Sequence, residues 1–145
     1  MSDIANSFSD EVVTNAYTKL VSVPGIDGQV ALVTLDNGFD HTKPSSFGPA
    51  GLNALNAALD EAFDAKPAAI AITGKPFIFA AGADLKGVPS ITSRDQGLEL
   101  GQLGHKVFRR LRESTIPTFT FVNGVALGGG LEVALHSHYR TVSTS

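Results

Sequence analysis

Two glycine-containing segments could present free backbone N–H groups to a negatively charged ligand atom. The first is Ala81-Gly82-Ala83, and the second is the run of three glycines at 128–130. Glycine lets a backbone approach a ligand closely because no Cβ intervenes. The second segment opens a predicted helix, whose first N–H groups lack intrahelical partners and whose dipole favours negative charge. Two such donors aimed at one point would form an oxyanion hole, which stabilises charge developing on a carbonyl oxygen.

Each glycine segment taken alone also has a purely structural interpretation, because glycine allows a strand and a helix to pack tightly. A P-loop does not fit, since no Gly-Lys-Ser or Gly-Lys-Thr follows the glycines at 128–130. A dinucleotide-binding fingerprint does not fit either, since the third, spaced glycine is lacking. The oxyanion hypothesis therefore requires both segments to meet at one point.

Glu132 is the residue best suited to acid/base chemistry. It is the only acidic residue between Ser114 and Ser145, and its immediate neighbours are apolar. A carboxylate in such surroundings costs free energy unless it pairs with a cation or accepts hydrogen bonds, and a catalytic role is a common reason for that cost. Its position one turn after the glycines suits a general acid/base beside a carbonyl group. The alternative is a first-turn glutamate that the helix dipole alone stabilises.

Asp84 and the histidines have simpler expected roles. Asp84 directly follows the first glycine segment, and we expect it to cap Leu85-Lys86 or to hold the turn. None of the four histidines has metal-ligand spacing with other histidines or carboxylates, so no metal site is predicted. His136 and His138 follow Glu132 closely enough to be candidates for supporting contacts. The four histidines are His41, His105, His136 and His138.

Strand and helix patterns alternate along the chain, which predicts an α/β fold. The predicted strands or extended segments are 29–36, 69–73, 77–80, 118–122 and 139–142. Continuous apolar runs in the first two indicate strands buried on both faces. Helices are predicted from about Pro49, after Ser93, which has capping-box spacing to Gln96, and from Leu131. Residues 1–28 are interpreted as a polar leader, and residues 29–145 as one domain.

Composition excludes several classes of protein. The chain has 145 residues, a net charge of −3 and no cysteine, so disulfides and Cys-ligated zinc are excluded. No basic patch suited to nucleic acid or an anionic membrane is present. Arg109, Arg110 and Arg112 are predicted to form a solvated helix face, with contact to an anionic ligand as the alternative. No signal peptide or membrane-spanning run is found, and a cytoplasmic protein is expected.

The segments FAAGADLK at 79–86 and VNGVALGGGLE at 122–132 resemble the two signature segments of the crotonase (enoyl-CoA hydratase/isomerase) superfamily. They occur in the right order, with a predicted helix between them. The resemblance extends from about Gln29 to the end of the chain. The polar start and the long loop before Phe47 resemble the hydratase part of multifunctional fatty-acid-oxidation α-chains. The resemblance implies a crotonase-like ββα spiral, of which this chain is interpreted as the N-terminal part.

The resemblance also implies roles for particular residues. The amides of Ala83 and Gly129 would hold the thioester oxygen of an acyl-CoA, and Glu132 matches the first of two catalytic glutamates. The turn from Ala81 to Lys86 would border coenzyme A, and its main-chain groups would bind the adenine ring. The implied substrate-binding residues are Ala81, Gly82, Ala83, Asp84, Leu85, Lys86, Gly128 and Gly129. No separate cofactor is implied, because coenzyme A is part of the substrate.

The sequence departs from the superfamily pattern in two respects. The second catalytic glutamate, the later turns of the spiral and the closing C-terminal helices would lie beyond Ser145. His138 occupies a position where relatives usually have Asp before Tyr-Arg.

The predicted function is hydration of a 2-enoyl-CoA in fatty acid β-oxidation, through a stabilised enolate. Two alternatives remain: an enoyl-CoA isomerase on the same scaffold, and a non-catalytic acyl-CoA-binding fragment. The expected partners are an acyl-CoA thioester and either further copies of the chain or a larger β-oxidation complex.

Overall fold

The computed structural model describes residues 8–144. Strands and helices alternate through most of this range, as predicted. The strands are β1 (Asn15–Val21), β2 (Val30–Asp36), β3 (Ala69–Gly74), β4 (Phe77–Ala80), β5 (Thr118–Val122), β6 (Gly124–Ala126) and β7 (Tyr139–Val142). The α-helices are α1 (Pro49–Asp64), α2 (Arg94–Arg112) and α3 (Gly129–His136), and a 3₁₀ turn spans Val88–Ser90.

The main sheet has the strand order β1-β2-β3-β5-β7. β1 is antiparallel to β2, and every other neighbouring pair is parallel. The interpretation of residues 1–28 as a leader is therefore wrong for Asn15–Val21, which form a complete edge strand. Residues 1–7 of that leader lie outside the described residues. The strand escaped prediction because an edge strand needs few apolar residues, and β1 has no fully buried side chain.

The hydrophobic core lies between one face of the main sheet and the helices α1 and α2. Leu55 and Leu59 of α1 and Leu111 of α2 are fully buried there, against Val33 and Ile72 of the sheet. The opposite face carries a smaller cluster around Val30, Ala69 and Ala71. Burial on both faces is confirmed for β3 as far as Ile72, but it is wrong for β2, where alternate residues are only half-buried. Within residues 8–144, no helix combines the length and the apolar character needed to cross a membrane.

Helix α2 begins and packs largely as its sequence pattern predicts. The Ser93 hydroxyl accepts from the Gln96 N–H at 3.2 Å, and the Gln96 side chain accepts from the Ser93 N–H at 3.3 Å, which completes the predicted capping box. The prediction of a solvated arginine face is wrong for Arg110. Its guanidinium donates to Asn56 and Asp60 of α1, at 2.6 Å to each side-chain oxygen, and thereby joins the two helices.

A second, two-stranded parallel sheet of β4 and β6 brings the two glycine segments together. The Ala80 carbonyl accepts from the Leu127 N–H at 3.0 Å. A Cβ placed on Gly130 would lie 2.0 Å from the Ala80 carbonyl oxygen, and one on Gly82 would lie 2.9 Å from the Leu127 carbonyl oxygen. The segments therefore touch backbone to backbone, a contact that side chains at these glycines would prevent.

Replacing Gly130 with alanine tests this contact. The added methyl group would overlap the Ala80 carbonyl, so we expect Gly130→Ala to lower the free energy of unfolding by about 2 kcal/mol or more, measured by urea denaturation. Gly101→Ala is the matched control, because a Cβ at this position within α2 meets nothing within 4 Å. It should raise stability by up to about 1 kcal/mol, since alanine favours a helix over glycine. Equal stability of Gly130→Ala and the unmodified chain would contradict the observed packing.

Candidate functional site

The direction of the Ala83 N–H is set by an isolated parallel bridge between Phe47 and Ala83. The Phe47 N–H donates to the Gly82 carbonyl at 2.7 Å, and the Phe47 carbonyl accepts from the Asp84 N–H at 2.9 Å. In a parallel bridge, a residue that bonds to both neighbours of its partner leaves the partner's own N–H directed to the other side. The Ala83 N–H therefore points away from Phe47.

The second glycine segment forms the start of helix α3. Gly128 precedes the helix with a φ of +46°, a conformation that favours glycine. Gly129 is the first helical residue, so its N–H precedes the intrahelical hydrogen bonds. Its Cα lies close to the first segment, because a Cβ built on Gly129 would be 3.7 Å from the Gly82 Cα. Across residues 8–144, neither the Ala83 N–H nor the Gly129 N–H has a hydrogen-bond acceptor.

Ala83 and Gly129 both line one cavity of about 320 Å³, here called the glycine cavity. Its wall includes Phe47, Ala83, Phe108, Gly129 and Glu132. Glu132 lies in the first turn of α3 and is solvent-exposed, so the helix dipole is sufficient to tolerate its carboxylate there. The cavity nevertheless brings together the three residues that the sequence singled out for catalysis. A carbonyl group in it would lie beside two free N–H donors and a carboxylate.

A second cavity, of about 410 Å³, lies on the other side of the first glycine segment and is here called the loop cavity. Ala83 lines both cavities, so they meet at the turn. Five of the predicted substrate-binding residues line the loop cavity: Ala81, Ala83, Asp84, Leu85 and Lys86. Lys43 and Lys86 also give its wall two cationic side chains.

The outer wall of the loop cavity is the loop of residues 37–43, which Lys75 holds in place. The Lys75 side chain is 4% exposed, and its ammonium donates to the carbonyls of Phe39, Asp40 and Lys43 at 2.7–2.9 Å. The side-chain oxygen of Asn37 is a fourth acceptor, so one of the three ammonium N–H groups is shared between two oxygens. A buried ammonium requires such oxygen partners, because an unpaired charge away from water is costly. Within the loop, the hydroxyl and then the N–H of Thr42 hold the pKa of Asp40 below its usual value.

Other predicted residues serve the turns more than the cavities. Asp84 is buried, and its carboxylate accepts from the Lys86 N–H at 3.1 Å, which is the turn-holding role expected for it. Gly82 and Gly128 permit the close approach of the two segments and line neither cavity. Among residues 8–144, no group of three or more His, Asp or Glu side chains could hold a metal ion.

The two candidate histidines are separated. The imidazole of His136 contacts the Glu132 carbonyl oxygen at 2.8 Å, whereas His138 bonds to Thr118 and to the carbonyl of Arg112. His136 thus supports the helix that carries Glu132. His138 joins the start of β7 to β5 and to the end of α2.

Sequence reasoning missed several residues of the glycine cavity. Phe47 was named only as part of a loop motif, although it orients Ala83. His105 is named only among histidines without metal-ligand spacing, although it lines the cavity beside Gly101 and Gly104. The recurrence of glycine at 97, 101 and 104 was a usable signal, because these positions share one face of a helix.

The comparisons with known proteins agree with this architecture. Residues 25–145 match the family described as enoyl-CoA hydratase/isomerase. The fatty acid oxidation complex subunit alpha of Shewanella halifaxensis is 34% identical over 119 residues, which are 81% of this chain and 16% of that protein. This confirms the resemblance to fatty-acid-oxidation α-chains.

Solved structures show the same fold. An enoyl-CoA hydratase/isomerase family protein from Pseudomonas syringae superposes with a TM-score of 0.68 at 29% identity, over 85% of this chain and 49% of that one. The enoyl-CoA hydratase of Bacillus anthracis superposes with a TM-score of 0.69 at 23% identity, over 85% of this chain and 46% of that one. The chain thus spans about half the length of these structures. The predicted α/β, crotonase-like fold is confirmed, and the chain belongs to the enoyl-CoA hydratase/isomerase family.

Proposed function

We propose that this chain binds an acyl-CoA thioester at the junction of its two cavities and that its site hydrates a 2-enoyl-CoA. The observation that carries the proposal is the meeting of two unbonded N–H groups, from Ala83 and Gly129, with the Glu132 carboxylate at one cavity. When the oxygen of water adds to C3 of the enoyl group, the electrons of the double bond move toward the thioester oxygen. The Glu132 carboxylate takes the proton that this water loses, while two preorganised N–H donors stabilise the negative charge on the thioester oxygen. The protonated carboxyl group then returns a proton to C2, which completes the addition of water.

The arrangement of the two cavities favours a thioester over a simple carbonyl compound. Ala83 lines both cavities. A thioester whose carbonyl lies at the Ala83 N–H can therefore place its acyl chain in the glycine cavity and its coenzyme A part in the loop cavity. The loop cavity carries Lys43 and Lys86, and the ammonium group of lysine binds phosphate oxygens as a point charge. Coenzyme A supplies phosphates on that side of its thioester.

Isomerisation of a 3-enoyl-CoA is the second candidate, because a carboxylate and two N–H donors at one cavity also suit that reaction. Among residues 8–144, Glu132 is the one carboxylate that lines the glycine cavity. A single carboxylate can remove a proton from C2 and return it to C4, since the same enolate is the intermediate. Hydration also requires that a water molecule be held and activated.

Supplying 2-enoyl-CoA and 3-enoyl-CoA separately and identifying the products distinguishes the two reactions. Binding of either compound without turnover would indicate a non-catalytic module.

A bulky side chain at Gly129 should obstruct the site without unfolding the chain. A Cβ at Gly129 would lie no closer than 3.7 Å to any atom outside its chain neighbours and its own helix backbone, so Gly129→Val should keep its circular dichroism spectrum. We expect at least a hundredfold loss of crotonyl-CoA hydration, because the valine side chain would keep the thioester oxygen away from the Gly129 N–H, and loss of one oxyanion donor has about that effect. Leu135→Val, at an exposed position on the same helix, is the control and should retain activity. Full hydration by Gly129→Val would refute the assignment of this amide.

Neutralising Glu132 should impair proton transfer more than substrate binding. Glu132→Gln keeps the size of the side chain but removes its basicity, so kcat should fall by roughly 10²- to 10⁴-fold. KM should change little, because the thioester donors remain in place. Glu113→Gln is the matched control, since Glu113 pairs with Arg109 on the exposed end of α2. An unchanged kcat in Glu132→Gln, measured by loss of enoyl-thioester absorbance, would exclude Glu132 as the acid/base.

A further inference from the structure

The carboxylate of Glu11 caps the start of helix α1 from 37 residues upstream. One oxygen accepts from the N–H groups of Gly48 at 3.1 Å and Gly51 at 2.8 Å, and the other accepts from the Ala50 N–H at 2.9 Å. The helix has no cap from the Gly48 position itself and no acidic residue in its first turn. Glu11 therefore supplies the negative charge and the acceptors that a helix start requires.

The residues just before α1 form a short strap, 45–48, between this cap and the first glycine segment. On one side, the strap is held by Glu11 at Gly48 and by the hydroxyl of Thr14, which donates to the Ser46 carbonyl at 2.6 Å. On the other side, the strap bonds to the turn: the Ala81 N–H donates to the Ser45 carbonyl at 2.7 Å, and Phe47 bonds to both neighbours of Ala83. The position of Phe47 thus determines where the Ala83 N–H points.

We propose that Glu11 is a positioning residue, which fixes the Ala83 N–H toward the glycine cavity by anchoring the strap. This inference rests on the proposed function, because the Ala83 N–H matters for affinity only if it contacts a thioester oxygen. Glu11 lies before residues 25–145, which match the family. Glu11 touches no reacting atom and acts through Gly48 and Phe47.

Two variants remove the anchor in different ways. Glu11→Gln keeps the shape of the side chain but replaces one acceptor oxygen with an NH₂ group that faces backbone donors. Gly48→Ala leaves Glu11 intact, but the new Cβ would lie 2.4 Å from the Glu11 carboxyl carbon and would displace that flexible group. Gly48 has an extended backbone, φ −101° and ψ −170°, which alanine adopts without strain. If one variant fails to fold, the other still tests the proposal.

Thr18→Val is the matched control. The Thr18 hydroxyl joins β1 to the far part of α1 by donating to the Ala58 carbonyl at 3.1 Å. Its removal therefore costs one hydrogen bond between the N-terminal region and the same helix. It does not touch the strap.

The first measurement is calorimetric binding of butyryl-CoA and of free coenzyme A, which lacks the thioester carbonyl. Loss or weakening of one hydrogen bond should reduce the affinity of Glu11→Gln and Gly48→Ala for butyryl-CoA by roughly threefold to tenfold. Their affinity for free coenzyme A should remain unchanged. Equal losses for both ligands, or the same loss in Thr18→Val, would indicate general destabilisation and overturn the proposal.

The second measurement needs no ligand. Amide hydrogen exchange of Phe47 and Asp84 reports the two bonds that hold the turn, so it should accelerate in Glu11→Gln and Gly48→Ala but not in Thr18→Val. Unchanged exchange at both amides would overturn the proposal even if affinity fell. If the unmodified chain bound neither butyryl-CoA nor coenzyme A, the proposed function would fail, while the exchange measurement would still decide whether Glu11 fixes the turn.

Discussion

The site depends on a backbone contact between two glycine segments that lie more than forty residues apart in the sequence. The Ala80 carbonyl accepts from the Leu127 N–H, and Gly82 packs against Gly128 and Gly129 with no side chain between them. A methyl group at Gly130 would separate the segments, because the Ala80 carbonyl already occupies that space. The contact explains why two amides on different elements can face one small cavity. Their convergence is a consequence of backbone packing, so it requires no flexible side chain to be ordered when a ligand binds.

This contact holds only the side of the first glycine segment that faces the second one. Two further sets of hydrogen bonds, those of the strap and those of Lys75, hold the residues around it. The strap bonds to both neighbours of Ala83, so the turn cannot rotate without breaking backbone hydrogen bonds. The Lys75 ammonium forms hydrogen bonds with three carbonyls and the Asn37 side chain. These bonds hold the 37–43 loop in place as a wall of the loop cavity. Both sets use polar groups in buried surroundings, where a missing partner is costly. The turn therefore lies between two segments that hydrogen bonds hold in place.

Helices and caps that depend on residues close together in the sequence were predicted. Contacts and strands that depend on partners far away in the sequence were missed. The capping box at Ser93 and the helix after Pro49 follow from spacing within a few residues, and both are confirmed. The glycine segments were found because glycine itself signals close approach. The bridge from Phe47 to Ala83 was not predictable, because it joins residues 36 apart through the backbone and imposes no residue type. The same holds for β1, whose partner strand supplies the hydrogen bonds, and for Lys75, whose acceptors are mostly carbonyls that any residue provides.

The glycines of α2 show that the glycine cavity is more than a gap left by the packing. Gly97, Gly101 and Gly104 all line it, although each glycine within a helix lowers stability by roughly 1 kcal/mol relative to alanine. The fold does not require them, because a Cβ at Gly101 would meet open space and those at Gly97 and Gly104 would make ordinary contacts no closer than 3.7 Å. None has the positive φ that would exclude other residues. Their common effect is to enlarge the cavity between the other lining residues of α2, which are Leu100, His105 and Phe108, because three positions along this wall carry no side chain.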